Sequence, residues 1–165
     1  MNLSFSSSLK QLTLVEGSLS RKEMKIFGSL PNLEVLKLRR TAFFSQKWIT
    51  NAGEFLQLKY LLLENIALAH WRVDRTHFPN LEHLVLENFY NFGEIPDEIR
   101  EIPTLRSIKL NGCGGSVLTS AIDVKRNNGD WEMMAFKFLL LTLELDQHDL
   151  EGRCLIGNTI NVYFD

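Results

Sequence analysis

Leucine recurs along this chain in a fixed figure. The pattern L-x-x-L-x-L occurs as Leu9, Leu12, Leu14, then Leu33, Leu36, Leu38, then Leu58, Leu61, Leu63, then Leu81, Leu84, Leu86, and a fifth copy reads Leu105, Ile108, Leu110. The first leucines stand 24, 25, 23 and 24 residues apart. Within each figure the fourth and sixth positions are apolar and separated by one residue, which is the two-residue period of a strand with one face turned to a core. Five strands are predicted, centred near Leu12, Leu36, Leu61, Leu84 and Ile108.

A self-similar figure with a period of about 20–29 residues marks a leucine-rich repeat. One such coil cannot bury its own leucines, whereas stacked neighbours can. The predicted fold is therefore α/β: a right-handed leucine-rich-repeat solenoid, with parallel strands on its concave face and short helices and loops on its convex face. Large apolar residues support it. Leu30, Phe55, Phe78 and Ile102 stand three residues before a first leucine, and Trp48, Trp71 and Ile95 stand ten before one, placed to fill the convex half of each coil. Ser20-Arg21-Lys22-Glu23 reads as a capping box opening a short helix, with Gly28 as its left-handed terminator. The position that a regular repeat gives to Asn or Cys is held by Gly17, Thr41, Ile66, Phe89 and Cys113, so the buried hydrogen-bond ladder is expected to be incomplete.

The organisation follows in three parts. Residues 1–115 carry five repeats. Residues 116–136 are expected to form a terminal capping helix, with Val117, Leu118, Ala121 and Ile122 on one face, and a degenerate sixth strand at Trp131, Met134 and Phe136. Residues 137–165 have no repeat register; Ile160, Val162 and Phe164 alternate like a strand without an evident place. The first repeat lacks the polar cap that a solenoid end needs, which suggests a fragment or a truncated relative.

Composition narrows the function. The chain has 165 residues, 45% of them apolar and 23% charged, and a net charge of −2. No basic field draws it to nucleic acid, and the cluster at Arg39-Arg40 is interrupted by acidic residues and lacks interleaved aromatics. Two cysteines cannot frame a disulfide scaffold. No signal peptide or transmembrane run is visible, and a cytoplasmic location is expected. His70, His77, His83 and His148 match no zinc spacing. No nucleophile elbow or metalloprotease motif is present, so the expectation is a non-enzyme without cofactor or metal. What remains is binding through the strand positions that alternate with the leucines. Val35, Lys37, Arg39, Tyr60, Leu62, His83, Val85 and Lys109 are the candidate protein-binding residues. Val35, Tyr60, Leu62 and Val85 are expected to form a contiguous apolar patch with charge around it, either exposed as a binding surface or covered by a neighbouring segment such as the tail.

Gly28-Ser-Leu-Pro-Asn-Leu-Glu-Val-Leu-Lys-Leu38 and Phe78-Pro-Asn-Leu-Glu-His-Leu-Val-Leu86, followed by Glu94-Ile-Pro96 and Ile102-Pro-Thr-Leu105, resemble lines of the late-blight-resistance class of plant immune receptors. Gly93-Glu-Ile-Pro96 also resembles the element that gives plant repeats a second short strand. Such receptors join a coiled coil, a nucleotide-binding switch domain and C-terminal leucine-rich repeats. The resemblance spans roughly residues 3–136. It implies a protein-interaction module in pathogen recognition and defence, with the switch domain, a pathogen effector or a host guardee as partner. A repeat adaptor of another pathway, such as a ubiquitin-ligase substrate receptor, is the alternative. The chain has no G-x-x-x-x-G-K-[ST] loop, so the class's nucleotide binding does not carry over.

Overall fold

Each leucine figure forms one strand of a single sheet. The structure, a computed structural model, describes residues 5–74, 76–89, 92–123 and 159–163. In chain order the elements are β1 (Gln11–Leu19), α1 (Arg21–Gly28), β2 (Val35–Phe43), a 3-10 turn (Phe44–Gln46), β3 (Lys47–Ile49), β4 (Tyr60–Glu64), β5 (His70–Arg72), β6 (His83–Glu87), α2 (Asp97–Arg100), β7 (Ser107–Asn111), α3 (Gly115–Asp123) and β8 (Thr159–Tyr163). The main sheet has the order β1-β2-β4-β6-β7-β8, and its first five strands are parallel. The architecture is α/β and compatible with a leucine-rich-repeat-like fold.

The register aligns every copy with the next. Leu12, Leu36, Leu61, Leu84 and Ile108 form one row across the strands, and Leu14, Leu38, Leu63, Leu86 and Leu110 form a second. From Leu36 onward, both rows are fully buried. Each such side chain contributes about 1.5–3 kcal/mol of apolar burial. The backbone repeats as strictly. The carbonyl of Lys10 accepts from both Glu34 and Val35 N–H, that of Glu34 from Lys59 and Tyr60, that of Lys59 from Glu82 and His83, and that of Glu82 from Arg106 and Ser107, at 2.8–3.1 Å. Two residues after each last leucine the chain turns through a left-handed residue: Glu16, Arg40, Asn65, Asn88 and Gly112, with φ between 48° and 61°. Gly112 has a second reason to be glycine, because a Cβ there would meet Asn88 Oδ1 at 2.7 Å.

The side of the core away from the main sheet is aromatic. β3 and β5 pair parallel and set Trp48 on Trp71 with ring centroids 5.2 Å apart and planes 2° apart. Phe55 and Phe78 stack beside them at 5.2 Å, and each tryptophan meets Phe78 edge-on. Ile95 and Ile102 are buried too, while Leu30 is only partly covered. These are the residues that the spacing assigned to this half of the core. The short strands β3 and β5 were not anticipated. Conversely, Gly93–Pro96 forms no second strand. Pro96 has no N–H to donate to a ladder, and Ile95 N–H instead bonds Ser120 Oγ on α3 at 3.0 Å.

Local chemistry at α1 is half as expected. Ser20 caps it: the side chain accepts from Lys22 N–H, and Glu23 reaches back to the Ser20 backbone N–H and hydroxyl. Gly28, however, is the last helical residue and not a left-handed terminator; Ser29 follows in the right-handed region. Glycine is needed there because the next unit packs against it. A Cβ at Gly28 would lie 2.8 Å from Glu54 Cβ and 3.1 Å from the Phe55 ring, and Gly28 O accepts from Phe55 N–H at 2.7 Å.

The buried polar ladder is incomplete, as the irregular positions suggested. Cys113 Sγ donates to Leu86 O at 3.4 Å. Thr41 Oγ1 is buried without a hydrogen-bond partner among the described residues.

The helix expected from Ser116 is α3, with Val117, Leu118 and Ala121 buried. Residues 124–158 and 164–165 lie outside the described residues, and with them Trp131, Met134, Phe136 and Phe164. Among the described residues, β7 has β8 as its neighbour on the side away from β6. The backbone of β8 runs antiparallel to β7, from Ser107 opposite Tyr163 to Asn111 opposite Thr159. This gives Ile160 and Val162 the place that the repeat pattern did not supply.

Leu61→Ala opens a void between Leu36 and Leu84 and should lower unfolding free energy by about 2–5 kcal/mol. Leu14→Ala, at a half-covered position, should cost less. Urea titrations of both variants followed by circular dichroism measure the difference.

Candidate protein-interaction surface

Alternation turns one side chain in two away from the leucine rows, onto the opposite face of the main sheet. Three rows result, with neighbouring strands about 4.8 Å apart. The first is Gln11, Val35, Tyr60, His83 and Ser107; the second Thr13, Lys37, Leu62, Val85 and Lys109; the third Val15, Arg39, Glu64, Glu87 and Asn111. All eight candidate residues fall in these rows, on one face.

Of the two readings of the apolar patch, exposed or covered, its centre answers to cover. Leu62 and Val85, side by side at its centre, are only 5% and 6% accessible. Neither joins the main core cluster. Alternation dictates the face a side chain points to, but not whether that face is open. Leu62 is flanked by Lys37 and Val85 in its row and by Tyr60 and Glu64 along its own strand. Val35 is half-buried. What stays accessible at the centre is mainly polar or aromatic: Lys37, Arg39, Tyr60 and His83 in part, and Lys109 fully.

These groups are held by one another. Lys37 Nζ lies 5.6 Å from the centroid of the Tyr60 ring, within cation–π range. Tyr60 and His83 rings lie 6.4 Å apart. His83 Nδ1 bonds Ser107 Oγ at 2.8 Å, which holds the imidazole against the next strand. Arg39 pairs with Glu64 at 2.6 Å. Burial pushes the Tyr60 phenol above its ordinary pKa of 10.0; the negative charge of Glu87 adds to this and Arg39 opposes it. Tyr60 is therefore a neutral hydroxyl at physiological pH, able to donate and accept.

Reading along the chain missed a further row. The residue after each first leucine is Lys10, Glu34, Lys59, Glu82 and Arg106, alternating in sign from copy to copy. Lys10 and Lys59 each reach Glu34 at 3.2 Å, and Arg106 reaches Glu82 at 3.6 Å. These acids are not loose interruptions of a basic patch; they tie copies together. Reading down the repeats, column by column, would have shown it. The Pro-Asn and Pro-Thr pairs of the resemblance also have a structural task. Asn32 Nδ2 donates to Ser7 O and Asn80 Nδ2 to Leu56 O, both at 2.7 Å, and Thr104 Oγ1 donates to Leu81 O at 2.8 Å. Each clamps its copy to the one before.

Other candidate chemistry is quiet. His77 is buried, with Nδ1 accepting from Asp74 N–H at 3.1 Å and lying 2.7 Å from Thr50 Oγ1. A cleft of about 370 Å³ is lined by Arg40, Thr41 and Ala42 of β2, by Asn65, Ile66 and Ala67 after β4, and by Asn88 after β6. Among the described residues no three His, Cys, Asp or Glu side chains gather to hold a metal ion, and no helix is long and apolar enough to cross a membrane.

Comparison with known proteins agrees with the motifs on this sheet. The late blight resistance protein homologue R1B-16 of Solanum demissum is 40% identical over 128 residues, covering 76% of this chain. The chain is similar to a stretch of the late blight resistance proteins. Homologue R1B-23 of the same species is 36% identical over 118 residues, 70% of the chain, and late blight resistance protein R1-A is 34% identical over 143 residues, 85% of the chain. The chain spans 9–11% of the length of these late blight resistance relatives. No family model matches.

Two substitutions and one titration test this surface. Leu62→Glu places a carboxylate where nine-tenths of the surface is covered. It should destabilise the fold by about 2–4 kcal/mol, whereas Lys109→Glu in the same row should leave thermal unfolding nearly unchanged; differential scanning calorimetry separates them. Glu34 is held below its ordinary pKa of 4.5 by hydrogen bonds from Lys10 and then Lys59. A carboxyl with a lowered folded pKa stabilises fully above its unfolded value, and the contribution is lost as pH falls through the folded one. The melting temperature should therefore drop as pH falls below about 4.5, and Glu34→Gln should reduce that part of the drop.

Proposed function

We propose that this chain is a leucine-rich-repeat solenoid segment of a plant disease-resistance receptor, and that it binds protein through the open face of its main sheet. The handedness expected of its β-to-β connections is right-handed, as in nearly all parallel crossovers. The partners are the nucleotide-binding switch domain of such a receptor, a pathogen effector or a host guardee, met in the cytoplasm. Its role is recognition and regulation and not catalysis.

One observation carries the reading: Tyr60, His83, Lys37, Arg39 and Lys109 stand on adjacent strands of one face, in register, each strand braced from behind by buried leucines. Tyr and Arg are the residue types that dominate interface hot spots. Rigid strands hold them with little entropy left to lose on binding. Similarity to late blight resistance proteins supports disease resistance as the context.

The test expresses a switch domain of the resembled receptor class separately and measures its capture by the chain. Tyr60→Ala and Lys37→Glu should each weaken capture at least about tenfold, with melting temperatures close to that of the parent chain. Lys47→Glu, on the short sheet of the other side, should bind as the parent does. Capture that ignores both open-face substitutions would refute the reading.

A further inference from the structure

The short sheet, on the side of the core away from the main sheet, presents a face of its own. β3 and β5 turn Trp48 and Trp71 inward and leave Lys47, Ile49, His70 and Arg72 exposed on the outside. Lys47 stands opposite His70, and Ile49 opposite Arg72. Neighbouring strands lie about 4.8 Å apart, and alternate residues along a strand about 7 Å apart. The platform is rigid. The stacked tryptophans form its inner side. The pairing continues past both ends, with Ala69 N–H donating to Gln46 O at 2.8 Å and Thr50 N–H to Arg72 O at 3.2 Å.

Charge on this face has one sign. Among the described residues no acid lies within ion-pair distance of Lys47, His70 or Arg72. Arg21 brings a further permanent cation to the end of β3, where it donates to Asn51 Oδ1 at 3.3 Å. The acids nearest along the chain are engaged locally: Glu54 accepts from Asn51 N–H and Nδ2, and Asp74 from Thr76 N–H and Oγ1. Glu94, exposed, holds the place of His70 one copy later and bounds the patch.

Large apolar side chains are exposed in the same stretch. Ile49 is 41% accessible, and Phe44, in the turn that leads into β3, is 66% accessible. A lone phosphate group would answer the cations and leave these side chains wet. An anionic bilayer surface takes both kinds at once, the headgroups meeting the cations and the acyl boundary the apolar groups. Cytoplasmic leaflets carry such lipids and attract basic segments to them.

We propose that this face docks on an anionic lipid bilayer, with Arg21, Lys47, His70 and Arg72 over the headgroups and Phe44 and Ile49 reaching the acyl boundary. The contact is peripheral and reversible. It lies across the core from Tyr60 and Lys37, so the main sheet stays accessible to a protein while the chain sits on a membrane.

Co-sedimentation of the full chain with vesicles tests it. Vesicles of phosphatidylcholine mixed with phosphatidylserine should pellet the chain, and vesicles of phosphatidylcholine alone should not. Lys47→Glu combined with Arg72→Glu should lower the partition at least about twentyfold, at about fivefold or more per cation, with circular dichroism and melting those of the parent. Phe44→Ser should lower it about tenfold. Absence of binding to the mixed vesicles, equal binding to both kinds, or binding that survives the double charge variant overturns the proposal. So does capture of polyglutamate in place of vesicles, which assigns the face to an acidic protein. Should the double charge variant fail to fold, Lys47→Gln combined with Arg72→Gln decides: undiminished pelleting overturns the proposal equally.

Discussion

Leu36, Leu61, Leu84 and Ile108 each occupy the same place on successive strands, and the first three each lie between the copies before and after. A copy of about two dozen residues has too little interior to bury a leucine alone, so burial must be shared between neighbours. That constraint demands a constant register, because a slip of one residue would turn every leucine to the opposite face. The twin hydrogen bonds to Lys10, Glu34, Lys59 and Glu82 carbonyls and the left-handed residues at Glu16, Arg40, Asn65, Asn88 and Gly112 are the means by which the register is kept. Non-glycine residues in that region cost about 1 kcal/mol each. The chain tolerates it four times over because the turn returns each strand to the position where its leucines are covered.

What was legible in the sequence is what this constraint repeats. The period, the strand centres, the inward leucines and the aromatic anchors recur, so each copy checks the others. The capping box at Ser20 was legible for a different reason: it is complete within four residues. What escaped depends on a neighbour that no period announces. Gly28 read as a helix terminator, yet its glycine answers to Glu54 and Phe55 of the next unit. Whether Leu62 and Val85 are exposed or covered stayed open in the sequence, because alternation gives direction and not cover. β8 pairs antiparallel, outside the repeat, so the repeat could not predict it. The alternating charges of Lys10, Glu34, Lys59, Glu82 and Arg106 were readable, but only down the copies; along the chain each acid looks like an ordinary solvated one.

The face opposite the leucine rows carries two kinds of contact that serve different ends. Lys10–Glu34–Lys59 and Glu82–Arg106 lie before the strands, and they bind copy to copy. Exposed ion pairs are individually weak, at about 0–1 kcal/mol, so the row adds specificity of register more than stability. On the strands themselves, Tyr60, His83 and Lys37 hold one another without any ion pair between them. The guanidinium of Arg39 is committed to Glu64. A partner that engages Arg39 must replace that carboxylate, whereas one that engages Tyr60 meets a neutral hydroxyl with its ring already packed.

This division sets which positions of the face can change without acting on the fold. Where the side chain is long and polar and reaches solvent, as at Lys37 and Lys109, it can change with little cost to the core behind it. At Leu62 and Val85 the same face is closed, and a change there acts on the fold first. The centre of the face is thus constrained almost as tightly as the leucine rows, and freedom to change a side chain lies around it. A surface built this way tolerates change at its rim, around a fixed apolar pair, with the strand register carrying each side chain to the same place.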